Sequence, residues 1–395
     1  MKKIILILSI VLFIIFGLSS IFSMILADNV NNGIAYVSLF IALNLLYKKV
    51  KLRNIKIVYL GIVLYCIIFY ISGRYLSVLT IMGVFLTASI LSGTIKYINK
   101  PSYNKIFLNI ALTFYIFNIV ISWIEYQSQI NLFYFDMSAK YDVVNSYYRF
   151  RASGIWGHPL YTAMIHGACM LFILMSSLNK NMKILLWTLG LFTIFLYDAR
   201  ASTLSIIGAS LIYVYFKGLI SRKHLKWIIF MGIILYFSFE YIAQSELGGK
   251  LFDTQTRNFN DESSNARIIA IQIFMELDAY KLLFGVPDQF AYAQKYHVIC
   301  AENAFVGSVL VYGLPLAVII FYLFIDNFRH LMCGLDNKYK ILIFAYIFST
   351  GLFNQALTGT AVWIGLYFFY ILFCFNNKET FRINENRYHN ISCLG

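Results

Sequence analysis

Apolar residues in this chain neither alternate nor recur at helical spacing with polar positions between them; they run in unbroken blocks separated by short basic interruptions. A hydrocarbon core takes about 20 residues of helix to cross, and blocks of that order fill the chain. They predict an all-α integral membrane protein of about twelve transmembrane helices, at 4–26, 33–47, 56–72, 75–95, 105–124, 159–178, 183–197, 201–216, 226–244, 303–325, 339–357 and 360–375. The whole chain, 1–395, reads as a single polytopic domain, since no repeat interrupts it.

Two polar stretches are too long to be simple helix connections: 125–158 and 245–302. Long ordered loops tend to carry function. In the second, Ser263, Ser264 and Asn265 suit a helix start, and the apolar-periodic run from Ile268 to Leu283 predicts an amphipathic helix lying on the membrane surface. Pro159 stands at a helix start, and Pro315 falls inside a block, where it predicts a kink.

Charge orients the blocks. With Lys2 and Lys3 inside, the alternate connections collect about two thirds of the Lys and Arg, including Lys48, Lys49, Lys51 and Arg53, Arg222 and Lys223, and Arg382 and Arg387. Only four acids, Asp326, Asp336, Glu379 and Glu385, share that side. The positive side faces the cytoplasm, which puts both termini inside and both long loops outside. The formal charge of +14 thus reports topology and gives no reason to expect a nucleic-acid partner.

Composition supports a membrane protein: 60% of residues are hydrophobic and 13% charged, far from a soluble domain. The first block starts like a signal peptide but is longer and lacks a small-residue cleavage site before Asp28, so it reads as a retained helix. Of the six cysteines only Cys300 is expected outside, which leaves no pair for an outer disulfide.

An ionisable group at membrane depth costs about 2.5–3.5 kcal/mol at a helix centre, so each one needs a reason. Those near the outer side are Arg151 and His158 in RASGIWGHPL, Asp198 and Arg200 in YDARAST, Arg267 in SSNARIIAIQIF, and Glu302 with Asn303 in CAENAFVGSVLVYGL. A single interfacial arginine anchors a helix end; three on one face suit an anion, because guanidinium donors match phosphate oxygens and stabilise charge on a departing diphosphate. Glu302, at a helix entry, is a candidate to take a proton from a sugar hydroxyl, with His297 near it in sequence. His158 and His166, eight residues apart, share a helix face. Tyr141, Tyr147 and Tyr148 in the first loop are candidates to stack on sugar rings. No spacing suggests a metal site.

From about 145 to 330 the chain resembles the bacterial O-antigen ligase and polymerase superfamily, membrane glycosyltransferases that act on lipid-linked glycans. RASGIWGHPL looks like its Arg-x-x-Gly segment, DARAS like its short arginine turn between spans, and NARIIAIQIFMELDAYKLLFGV like its loop running from an arginine to a glycine turn. ENAFVGSVLVYGL is similar to its His-Asn motif, with Glu302 standing where ligases carry histidine and with Asn303 and Gly313 keeping the spacing.

The resemblance implies transfer of a glycan from an undecaprenyl-diphosphate carrier to a sugar hydroxyl at the outer face of a bacterial inner membrane, with no nucleotide sugar, cofactor or metal. It implies catalytic roles for Glu302, Arg267 and Arg200, and substrate binding by Arg151, His158, His297 and Asn303. The expected activity is a repeat-unit polymerase for O-antigen, capsule or exopolysaccharide. Its partners are then the lipid-linked oligosaccharide and membrane lipids, with a chain-length regulator as a further candidate. A ligase that transfers glycan to lipid A core is the close alternative. A flippase or other transporter is the alternative from another class, and it predicts ionisable residues at the bilayer midplane instead.

Overall fold

Residues 2–13, 34, 37–38, 41, 45, 101–133, 150–217, 262–298, 303–332 and 335–352 are described by the computed structural model. Among these the regular structure is helical, with no strand. The helices are α1 (Lys2–Phe13), α2 (Pro101–Ser128), α3 (Pro159–Met175), α4 (Lys180–Phe195), α5 (Arg200–Phe216), α6 (Glu262–Met275), α7 (Ala279–Phe284), α8 (Gln289–Gln294), α9 (Ala304–Tyr312), α10 (Leu314–Leu331) and α11 (Asn337–Leu352). The expected spans 56–72, 75–95, 226–244 and 360–375, and the tyrosines expected in the first loop, lie outside the described residues. One described segment, Leu108–Ser128, is long and apolar enough to cross a membrane; α3 and α5 are apolar but shorter.

The chain divides into two units. The first, here the Arg151 unit, comprises 113–264 and 335–350; the second, the Asn303 unit, comprises 1–112, 265–334 and 351–395.

In the Arg151 unit, α3 is buried around nearly its whole circumference, from Pro159 through Met175. A helix apolar on all sides belongs at the centre of a bundle, and α4 and α5 pack on it. From α11, Tyr346 Oη donates to the Met164 carbonyl at 2.8 Å.

The outer helices expose large aliphatic residues and bury a mixture of apolar, small and hydrogen-bonding ones. In α5 the inward face is Ser202, Thr203, Ile206, Ala209, Ser210 and Tyr213, while Leu204, Leu211 and Ile212 are exposed. In α2 the buried residues are Asn118, Ser122 and Glu125 together with Ala111, Tyr115, Ile119 and Ile121, while Ile116, Phe117, Val120 and Ile124 are exposed. Small and hydrogen-bonding residues between helices, with large aliphatic ones outside, is the arrangement expected where the surroundings are hydrocarbon.

In the Asn303 unit, Ala270, Ile273, Val286, Ala293, Val306 and Leu310 form one buried cluster. Two expectations are corrected here. The run from Ile268 to Leu283 is not one helix. It stops at Met275 and restarts at Ala279, because Asp278 Oδ1 accepts the Lys281 amide at 2.8 Å and so caps a new helix. Its exposed side is mixed, with Ile268, Ile271 and Met275 beside Gln272 and Glu276, while it buries Ala270 and Ile273.

The expected span 303–325 is likewise two helices. The break falls at Gly313, with φ of 77°, and Pro315 stands in the first turn of α10. Gly313 and Gly285 lie where two backbones cross: the Val286 amide donates to the Leu310 carbonyl at 2.7 Å, and a Cβ on Gly285 would stand 2.6 Å from that same oxygen. Both glycines have positive φ, so the crossing needs glycine for conformation as well as for space.

Candidate functional site

A carboxylate organises the approach to α3. Glu125, in the last turn of α2 and one residue beyond the expected end of that span, is wholly buried, with 0% exposure. Its Oε2 accepts the backbone amides of Ser153 at 2.8 Å and Gly154 at 2.7 Å. Its Oε1 accepts the Leu132 amide at 2.7 Å and the Ser153 hydroxyl at 3.0 Å. A buried carboxylate demands such compensation, and here it receives four donors.

Two turns away along α2, Asn118 does the same with its amide. Its Oδ1 accepts the Ile155 amide at 3.2 Å, and its Nδ2 donates to Tyr197 Oη at 2.8 Å and to His166 Nδ1 at 3.2 Å. His166 Nε2 faces the Gly190 carbonyl at 3.0 Å, so the partners assign the ring proton to Nε2. Ser122 Oγ donates to the Asn118 carbonyl at 2.7 Å, which leaves Tyr197 to donate its hydroxyl proton to Ser122 at 2.8 Å. Every group in this chain of bonds has a fixed direction. His166 therefore acts as a structural joint between α2, α3 and α4.

The segment 151–157 is held by these groups. The Ala152 amide donates to the Leu196 carbonyl at 3.0 Å, and Thr162 Oγ1 donates to the Ser153 carbonyl. Gly154 has φ of 57°, and a Cβ there would stand 2.5 Å from Asn118 Oδ1. At the head of this segment Arg151 reaches the turn between α4 and α5: Nε donates to the Tyr197 carbonyl at 3.0 Å and one terminal nitrogen to the Asp198 carbonyl at 3.1 Å. Asp198 itself is left-handed, with φ of 47°, a conformation that Asp tolerates better than most residues. Arg200 opens α5 two residues later.

His158 precedes α3 in extended conformation and makes no side-chain cap. Its ring packs on Tyr161 with centroids 4.6 Å apart, and its Nδ1 is buried without a partner among the described residues. Burial pushes the imidazole down to about 4, and the Arg151 charge adds to the same shift. The hydroxyl of Ser202, in the first turn of α5, is also buried without a described partner. One end of the Arg151 unit thus joins Arg151 and His158, before α3, to the turn that runs through Asp198 to Arg200 at the start of α5, and neither helix is capped by a side chain. Positive side chains beside uncapped helix N-termini form a surroundings suited to an anion.

The remaining candidates belong to the Asn303 unit. Asn303 caps α9, its Oδ1 accepting the amides of Phe305 at 3.0 Å and Val306 at 3.1 Å. His297 is exposed, with φ of 58°, in the turn after α8. Arg267 lies on α6, and Glu302 lies outside the described residues.

Glu125, Asn118 and Tyr197 escaped the sequence reading. The available signal was an amide inside an apolar block and an acid seven residues on, just past its end, Asn118 and Glu125, a spacing that places both on one helix face. No family model matches the chain, and no curated protein matches it in sequence.

Proposed function

We propose that the chain is a polytopic inner-membrane glycosyltransferase of about twelve spans that polymerises lipid-linked oligosaccharide repeat units at the outer face of the membrane. The observation that carries this reading is the pairing of Arg151 with the turn that leads into Arg200, which brings two arginines from separate motifs to one end of one unit. That both motifs belong to the resemblance, and in its order, supports the same reading. The aliphatic outer faces of α2 and α5, with hydrogen-bonding residues such as Asn118, Ser122, Ser202 and Thr203 inside, support the membrane.

In this account Arg151 and Arg200 hold the diphosphate of an undecaprenyl-diphosphate-linked glycan. The C1–O bond to the diphosphate breaks and a C1–O bond to an acceptor sugar hydroxyl forms; the carrier leaves as the diphosphate and the hydroxyl proton passes to a base. Glu302 is the sequence's candidate for that base. Diphosphate is a good leaving group, so catalysis rests on orientation and on stabilising the charge that grows on the departing oxygen.

Deletion of the gene in its own host, followed by silver-stained gels of the surface glycan, tests the reading. Loss of the polymerase leaves a core carrying one repeat unit, restored by wild type and not by Arg200→Ala. A bare core with long lipid-linked polymer retained would assign the chain as a ligase, and an unchanged glycan would remove the transferase reading.

A further inference from the structure

A single carboxylate fastens both ends of the stretch expected as the first outer loop. Glu125 takes the Leu132 amide, where the chain leaves α2, and the Ser153 and Gly154 amides, where it returns to α3. With the Ser153 hydroxyl on the same carboxylate, both of its oxygens are occupied as acceptors in a site closed to solvent. Glu125 is therefore placed to hold backbone, not to touch a substrate.

What it holds is the base of Arg151. The amides of residues 152 to 155 all point to fixed acceptors: Leu196 O for the first, Glu125 for the next two and Asn118 Oδ1 for the fourth. Two of the four belong to Glu125. The Arg151 guanidinium must meet the carbonyls of Tyr197 and Asp198 together, at 3.0 and 3.1 Å, which fixes its plane only if its own Cα is fixed. We propose that Glu125 is a positioning residue, setting the aim of Arg151 towards the donor diphosphate; this rests on the diphosphate reading given above.

Glutamine is the informative replacement. It keeps the shape and, with its N–H2 group at the Oε1 position, can donate to the Ser153 hydroxyl; the Leu132 amide then loses its acceptor, and the bonds from the Ser153 and Gly154 amides lose the carboxylate charge that strengthens them. Ser153→Ala removes one bond and leaves the carboxylate and its three backbone bonds in place.

The test is a double-mutant cycle on the full chain in detergent, with farnesyl diphosphate as the probe and farnesol as the control, each variant first checked for a cooperative melt. Arg151→Ala should weaken farnesyl diphosphate binding by about tenfold or more, the loss expected when charged hydrogen bonds are removed. Glu125→Gln should lose about threefold or more, Ser153→Ala should lose about two- to threefold, and neither should weaken binding further once Arg151 is alanine. Full-strength binding by Glu125→Gln, or losses that multiply in the double variants, overturns the positioning role while leaving the diphosphate reading intact. If Glu125→Gln does not fold, Ser153→Ala decides by the same criterion. Equal binding of farnesyl diphosphate and farnesol, or no effect of Arg151→Ala, removes the diphosphate reading and the positioning role with it.

Discussion

Arg151 donates through Nε to the carbonyl of Tyr197 at 3.0 Å, so the guanidinium of one motif is fitted to the backbone of another 46 positions away in the chain. A second bond, to Asp198, uses a different nitrogen of the same planar group. Lysine carries the charge on a single nitrogen and cannot reproduce two directed bonds in one plane. Arg151→Lys should therefore lose glycan polymerisation nearly as completely as Arg151→Ala, by tenfold or more in complementation assays. Retention of most activity by the lysine variant would mean that charge alone is needed there.

Asn118 serves three partners at once, Ile155, Tyr197 and His166. Alanine leaves buried donors and acceptors unmatched, and each such loss costs about 1–3 kcal/mol. Asn118→Ala should lower the free energy of unfolding by about 2–4 kcal/mol, measured by denaturation in detergent, and make the Ile155 amide exchange faster.

His158 carries a pH dependence. Its folded-state pKa of about 4 lies below the ordinary 6.5, so between these values the unfolded chain takes up a proton that the folded chain refuses. Stability is then full above about pH 6.5 and falls as the pH is lowered towards 4. Melting temperatures measured from pH 7.5 to 4.5 should show this slope, and His158→Asn should flatten it in part; an identical slope in the variant would place the titrating group elsewhere.

Two glycines make a paired test of backbone crossing against helix propensity. Gly313, with positive φ, sits against the Leu283 carbonyl, whereas Gly208, inside α5, has nothing within 4 Å of where a Cβ would stand. Gly313→Ala should destabilise by about 2 kcal/mol or more, and Gly208→Ala should be neutral or stabilising by up to about 1 kcal/mol, as read from the same denaturation curves.

Hydropathy located most of the described helices because they are built from long apolar blocks, and such a block is a local feature of the sequence. It did not single out Glu125, because a charge just past an apolar run is unremarkable by itself; the donors that make its burial tolerable lie 28 and 29 residues on, at Ser153 and Gly154. Asp278 was hidden for a different reason: within an apolar-periodic run, an aspartate that stops one helix and caps the next looks like one more polar position. Arg151 and Arg200 were legible as candidates because a guanidinium beside a span is conspicuous, but the contact of Arg151 with the turn before Arg200 depends on how α3, α4 and α5 pack. For Asn303, the sequence suggested a substrate contact, and the structure assigns its Oδ1 to capping α9.

The most direct test of the central claim is reconstitution. The purified chain in liposomes, given a lipid-diphosphate-linked repeat unit from its own host and no nucleotide sugar, should produce lipid-linked dimers and longer products with release of one undecaprenyl diphosphate per bond formed, and Arg200→Ala should reduce that rate at least tenfold. Release of no carrier and no lengthening of the glycan by well-folded wild type would contradict the account.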